Sequence, residues 1–200
     1  MRFKLWLEET QNIVLAHVSG PPGVGKTTLM KQIKHAFPQV LVVDLDSLDD
    51  FGERKLGFPF GWKANSYSDE KLNKLHSVRQ SALDKFINNS VKLGKSVILF
   101  GIHHEGDTVF KFPTAHRLYL MRPIEDIVRD RVKRDGEWYK SKGMPFDAQE
   151  FAQEARDDVI RIVRELRSMG YKEVSAGQAF TFLSGLLDNA LKRNPEVHRT

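Results

Sequence analysis

The sequence predicts an α/β fold, a three-layer α/β/α sandwich around a mostly parallel five-stranded sheet. Two observations carry this expectation. Compact apolar runs of strand length alternate with longer segments of helical period. The first of those runs leads directly into a glycine-rich loop, Gly20-Pro-Pro-Gly-Val-Gly25-Lys26-Thr27, which opens a helical stretch.

The elements follow in order. Residues 12–19 (NIVLAHVS) read as the first strand and residues 26–36 as the first helix. Further strands are expected at 39–45, 95–102, 116–121 and, more weakly, 171–175. Their apolarity is continuous, which suits strands buried on both faces. Helices are expected at 69–93, 123–135, 148–169 and 177–193. The first of these four has Ser68 or Asp69 as its N-cap. Pro123 suits a first helical turn, and Gly170 suits a helix stop. Two segments resist the scheme: 47–67, rich in glycine and aromatics, and 136–147, which reads as a mobile loop. Beside strand C-termini such segments form ligand sites. One domain over residues 1–200 is expected, with an acceptor-binding insert at about 47–67 and a lid at about 123–147.

Composition narrows the chemistry. The chain has 200 residues and no cysteine, which excludes disulfides, thiolate metal sites and a cysteine nucleophile. Lys and Arg exceed Asp and Glu by 31 to 26, for a net charge of +5. That balance suits simple solubility or attraction to phosphates. No long basic block concentrates the charge, so nucleic-acid binding is possible but unsupported. The start, MRFKLWLEET, has too short an apolar run for a signal peptide, and no run is long enough to span a bilayer. A soluble, cytoplasmic protein without membrane partners is expected.

The loop at 20–28 carries the sharpest signal. Glycines at 20, 23 and 25 let the backbone turn its amides inward, so that Gly20, Gly23, Val24 and Gly25 form an anion nest at a helix N-terminus. Lys26 then bridges β- and γ-phosphates and Thr27 ligates Mg²⁺, while Thr28 offers a hydroxyl to an α-phosphate. The competing reading is an ordinary Gly/Pro turn, which the preceding strand and the Lys-Thr pair disfavour.

The second strand runs into Asp44-Leu45-Asp46, with Asp49 and Asp50 behind. In an extended segment Asp44 and Asp46 share a face. If this strand neighbours the loop strand, the pair faces the γ-phosphate. Asp46 is then the general base and Asp44 the Mg²⁺-side ligand. Asp46 and Asp49 also suit turn and cap positions.

Loop, short first helix and Asp-x-Asp strand end together resemble the small-molecule and nucleoside/nucleotide kinases of the P-loop class. The pattern is similar to the shikimate kinase-like and adenylate kinase-like groups, with polynucleotide kinases and antibiotic phosphotransferases as cousins. The resemblance implies a P-loop NTPase fold of the nucleotide kinase kind, ATP and Mg²⁺ as cofactors, and an essential aspartate at 44 or 46. It also implies lid arginines, matched by Arg131 and Arg134 one residue closer together than the family spacing, with Arg129 and Lys133 as competitors. A solvated basic face partnered by Glu125, Asp126 and Asp130 is the alternative there. By the same resemblance, the turn Ser175-Ala-Gly177-Gln178 lies against adenine through its backbone.

The acceptor is less legible. Phe58, Phe60 and Trp62 suit stacking or a small core, Arg54 and Lys55 suit an acidic group, and Arg79 in the following helix is a further candidate to face the pocket. His103, His104 and Glu105 suggest a metal, but adjacent histidines in extended chain point apart. The leading expectation is an ATP-dependent phosphotransferase acting on a hydroxyl or phosphate of a small molecule or nucleotide. A hydrolytic NTPase, a polynucleotide 5′-hydroxyl kinase and a non-catalytic binding module are the alternatives. The sequence lacks the [NT]-K-x-D run of guanine recognition.

Overall fold

A computed structural model describes residues 13–57, 68–101, 114 and 116–193. Strand β1 spans Val14–Ser19 and is followed by α1 (Lys26–Ala36), β2 (Leu41–Asp44), α2 (Asp46–Leu56) and α3 (Asp69–Lys92). Then come β3 (Val97–Phe100), β4 (His116–Leu120), α4 (Ile124–Ser141), α5 (Ala148–Ser168), β5 (Lys172–Val174) and α6 (Ala176–Arg193).

All four strand pairings are parallel, in the order β2-β3-β1-β4-β5. The sheet is covered on both faces, as the alternation along β3 makes plain. Ile98 and Phe100 join a larger apolar cluster with Leu29 and Ile33 of α1 and Leu183 of α6. Val97 and Leu99 join a smaller cluster with Leu83 and Ile87 of α3. Burial of successive residues on opposite faces is why the strands read as unbroken apolar runs. Among the described residues no helix is long and apolar enough to cross a membrane.

Several local expectations are corrected. The second strand does not neighbour the loop strand, because β3 lies between β2 and β1. Residues 46–56 are helical, not irregular. Gly52 within that helix is a packing glycine: a Cβ there would lie 2.8 Å from Leu75 Cδ1 of α3. Helix α4 runs on to Ser141, through a segment that reads as a loop. Gly136 belongs to that helix, and a Cβ on it would meet Phe146 Cε1 at 2.9 Å. The true stop is Gly143 at φ +64, with Met144 N–H donating to Tyr139 O at 3.0 Å. Pro123 is the N-cap of α4 and precedes its first turn. Ser68 is the N-cap of α3, its side chain accepting from Lys71 N–H.

Candidate active site

The loop between β1 and α1 is held open by its backbone. Gly20, Gly23 and Gly25 have φ of 137°, 84° and 105°, conformations that L side chains rarely adopt. Gly20 also passes close to β4, where a Cβ would lie 2.8 Å from Leu120 O. Val24 is buried beneath the loop and donates its amide to Pro21 O at 3.3 Å. The Lys26 ammonium crosses the loop and donates to Gly20 O at 2.6 Å and Pro21 O at 3.2 Å.

A cleft of about 380 Å³ opens over this loop, lined by Pro22 and Gly23, Gly25 to Thr27, Asp46 and Arg134. Four side groups named from sequence therefore meet in one place: Lys26, Thr27, Asp46 and Arg134. Thr28 is exposed and Gly177 lies in the exposed first turn of α6; neither lines the cleft. At that helix start Ser175 and Gln178 form a reciprocal capping box, with Ser175 N–H donating to Gln178 Oε1 at 2.9 Å and Gln178 N–H to Ser175 Oγ at 3.2 Å. A roomier concavity of about 460 Å³ lies along β4, β5 and α6, lined by His116, Lys172 and Phe182 among others. It contains none of the loop residues, so the smaller cleft is the candidate site.

Asp44 and Asp46 come together by a turn, not by strand alternation. Asp44 ends β2, Leu45 is the helical-region N-cap and Asp46 begins α2. The Asp46 amide donates to Asp44 Oδ1 at 3.2 Å, and Ser47 Oγ donates to Asp44 O at 2.6 Å. The side chains of Asp49 and Asp50 lie outside the described residues, as do Phe58, Phe60, Trp62, His103, His104 and Glu105.

The charges act on one another. Burial lowers the Lys26 pKa from 10.5 to about 8; the carboxylates of Asp46 and Asp44 oppose the shift, and Arg134 and Arg131 add to it. Asp44 is held above the ordinary carboxyl range, first by burial and then by the charge of Asp46. The Asp46 amide and Lys26 pull the other way. Thr27 and Asp46 line the cleft and Asp44 does not, accepting instead from the Asp46 amide; all three offer oxygen, the donor type a hard cation such as Mg²⁺ takes.

The two arginines of α4 take different positions. Arg134 lines the cleft while its guanidinium is bidentate to Asp135, at 2.6 and 2.9 Å. Arg131 is mostly enclosed. Its Nη1 donates to Asp158 Oδ2 at 3.0 Å and Ala155 O at 3.4 Å, and its guanidinium lies 5.9 Å from the Phe151 ring centroid. Arg129 pairs with Asp126 at 2.9 Å on the exposed face, and Glu125 pairs with Arg156. Arg54 and Lys55 occupy the last turn of α2, exposed, and Arg79 is buried against Gly52.

Sequence reasoning missed Arg122, Asp135 and Asp158. Arg122 Nη2 donates to Gly23 O at 2.8 Å and to Asp130 Oδ2 at 2.6 Å. The only local signal was an arginine next to the proline that caps α4; nothing in the chain order ties it to a loop 99 residues earlier.

No family model matches the chain, and no curated protein matches its sequence. Solved structures do match. Shikimate kinase from Acinetobacter baumannii, in complex with shikimate, aligns over 94% of this chain and 98% of its own at 17% identity, TM-score 0.50. TT1252 from Thermus thermophilus aligns over 86% of this chain and 97% of its own at 14% identity, TM-score 0.54. The chain shares with these structures an α/β fold built on a parallel five-stranded sheet, and its glycine-rich phosphate-loop motif lies between β1 and α1. At these identities the likeness is one of fold.

Proposed function

We propose that the chain is a P-loop kinase that moves the γ-phosphoryl group of ATP to a hydroxyl or phosphate of a small-molecule or nucleoside/nucleotide acceptor. The observation that carries the reading is the single cleft shared by the loop, Lys26, Thr27, Asp46 and Arg134. An anion nest with one ammonium behind it suits a triphosphate. A carboxylate in the same lining suits an acceptor more than the phosphates, which it would repel. The fold shared with a kinase solved with shikimate adds support for a small acceptor.

In this scheme the loop amides and Lys26 hold the β- and γ-phosphates. Thr27 and Asp44 are the residues that would hold Mg²⁺, which neutralises phosphate charge when bound. Asp46 orients the acceptor and takes its hydroxyl proton as the new O–P bond forms and the bond to the ADP oxygen breaks. Arg134 offsets charge on the group in transfer, with Arg131 behind it on the same helix. Gly177 and the turn before it are the proposed adenine contact.

The test is ADP release from ATP·Mg²⁺ with a panel of nucleosides, nucleotides, small alcohols and 5′-hydroxyl oligonucleotides. Release that depends on one acceptor class supports a kinase and names its substrate. Release independent of any acceptor identifies a hydrolase instead, and no release under any condition removes catalysis.

A further inference from the structure

Several groups at the start of α4 converge on Gly23, in the middle of the phosphate loop. Arg122 donates from Nη2 to the Gly23 carbonyl at 2.8 Å and from the same nitrogen to Asp130 Oδ2 of α4 at 2.6 Å. On the other side of that residue, a Cβ at Gly23 would lie 3.2 Å from Arg131 Cγ and 3.7 Å from Ile127 Cγ2. Gly23 therefore meets Arg122, just before α4, through its carbonyl, and its bare α-carbon faces Arg131 and Ile127 of α4.

The carbonyl contact has a specific physical meaning. When a loop turns its N–H groups toward an anion, its carbonyls point away, and each enclosed carbonyl needs a donor. Lys26 supplies that donor to Gly20 and Pro21. Arg122 supplies it to Gly23 from outside the loop. Its other partner, Asp130, sits two turns into α4, and α4 also carries Arg134 to the cleft wall. As a surface ion pair alone, Arg122 with Asp130 would contribute little. As a bridge between loop and helix it sets the relative position of two walls of one site.

We propose that Arg122 is a positioning residue for the phosphate loop: it holds the Gly23 carbonyl outward and, through Asp130, locks the loop to the helix that bears Arg134. The proposal rests on the nucleotide-binding reading above. Arg122 itself need not touch the nucleotide. Its effect is preorganisation of the amides that do.

Calorimetric titration of the full chain with ATP·Mg²⁺, well below the melting temperature, tests this. Arg122→Gln is expected to weaken binding by about five- to twentyfold, the scale of one charge-assisted hydrogen bond. Arg122→Lys, which keeps a cationic donor, should recover most of that loss, and Asp130→Asn should weaken binding by about two- to threefold. Wild-type affinity in Arg122→Gln overturns the proposal, even if that variant melts earlier, because lost packing alone lowers the melting temperature without changing affinity of the folded protein. Should Arg122→Gln fail to fold, Asp130→Asn decides, and unchanged affinity there overturns the proposal equally. Lys26→Ala separates the two levels. If wild type and Lys26→Ala are alike in not binding, the nucleotide reading fails; if wild type binds, Lys26→Ala does not and Arg122→Gln is unaffected, only the role of Arg122 fails.

Discussion

Gly101 and Asp46 are packed so closely that a methyl group on the Gly101 α-carbon would lie 3.1 Å from Asp46 Oδ1. The same methyl would meet Leu45 Cβ at 2.7 Å, and Gly101 has a φ of +145°, which side chains rarely adopt. The end of β3 serves both neighbours here. Gly101 N–H donates to Val18 O of β1 at 3.2 Å, and Leu45 N–H donates to Phe100 O at 2.6 Å. This is how a carboxylate that follows β2 lies at the same cleft as a loop that follows β1, although the two strands are not adjacent.

A substitution at Gly101 should therefore act on Asp46. Gly101→Ala is expected to destabilise the fold by about 2–4 kcal/mol, from backbone strain and overpacking together. The surviving folded protein should lose phosphoryl transfer more than ATP affinity. Urea melts and a parallel ATP titration measure the two effects; wild-type stability would show that Leu45 and Asp46 yield without cost.

The Lys26 ammonium makes nucleotide binding sensitive to pH in a window above neutrality. With a pKa of about 8 it is charged at pH 7 and loses its proton as pH rises through 8. A bound triphosphate favours the charged form, so affinity should be flat below about pH 7.5. Above pH 8 it should fall by up to about tenfold per unit. Stability without ligand should run the other way. The unfolded chain keeps this proton to about 10.5 and the folded chain only to about 8, so this group adds stability as pH rises between those values. Calorimetry across pH 6.5–9.5, in two buffers of different ionisation heat, would detect the proton taken up on binding.

What the sequence disclosed and what it hid divide along physical lines. The strands and α1 were legible because two-sided burial and a local loop motif leave their mark on consecutive residues. Helix α2 and the last turns of α4 were not, because each lies in a segment with glycine among its residues and no clear apolar period. The reason for glycine is Leu75 at position 52 and Phe146 at position 136. Strand order leaves no local trace either, and Asp44 and Asp46 meet where β2 ends and α2 begins, not by alternation within a strand. The phosphate loop could be read from its own residues. The contacts of Arg122 with Gly23, and of Arg131 with Asp158, join segments 99 and 27 residues apart and exist only in the fold.

Asp46 should separate binding from transfer. Asp46→Asn preserves shape and removes the base, so transfer is expected to drop by about 10²–10⁴. ATP affinity should hold or improve slightly, because a negative charge beside the phosphates is gone. The charge of Asp46 also supports the protonated form of Lys26 and raises the proton affinity of Asp44. The descent of affinity with pH should thus begin lower in Asp46→Asn than in wild type. Equal transfer rates in the two proteins, once an acceptor is known, would remove Asp46 from the reaction.

Arg131 and Arg134 lie three residues apart on α4, yet their surroundings call for opposite outcomes. Arg134 is largely solvent-exposed at the cleft, with its side chain 58% accessible, so little folding energy depends on it. Arg134→Ala should leave the melting temperature within about 2 °C of wild type while lowering transfer by about 10²–10³. Arg131 is 13% accessible, packs its Cγ near Gly23 and pairs with an Asp158 that also binds Arg161 at 2.6 Å. Removing it leaves Asp158 with Arg161 alone and opens a gap between α4 and α5, so Arg131→Ala should cost about 1–3 kcal/mol of stability. Any loss of transfer in that variant should be partly shared by Asp158→Asn, which weakens the same hold on Arg131. A transfer defect in Arg131→Ala that Asp158→Asn lacks entirely, at wild-type stability, would instead make Arg131 a direct phosphate ligand, moved off Asp158 when nucleotide binds.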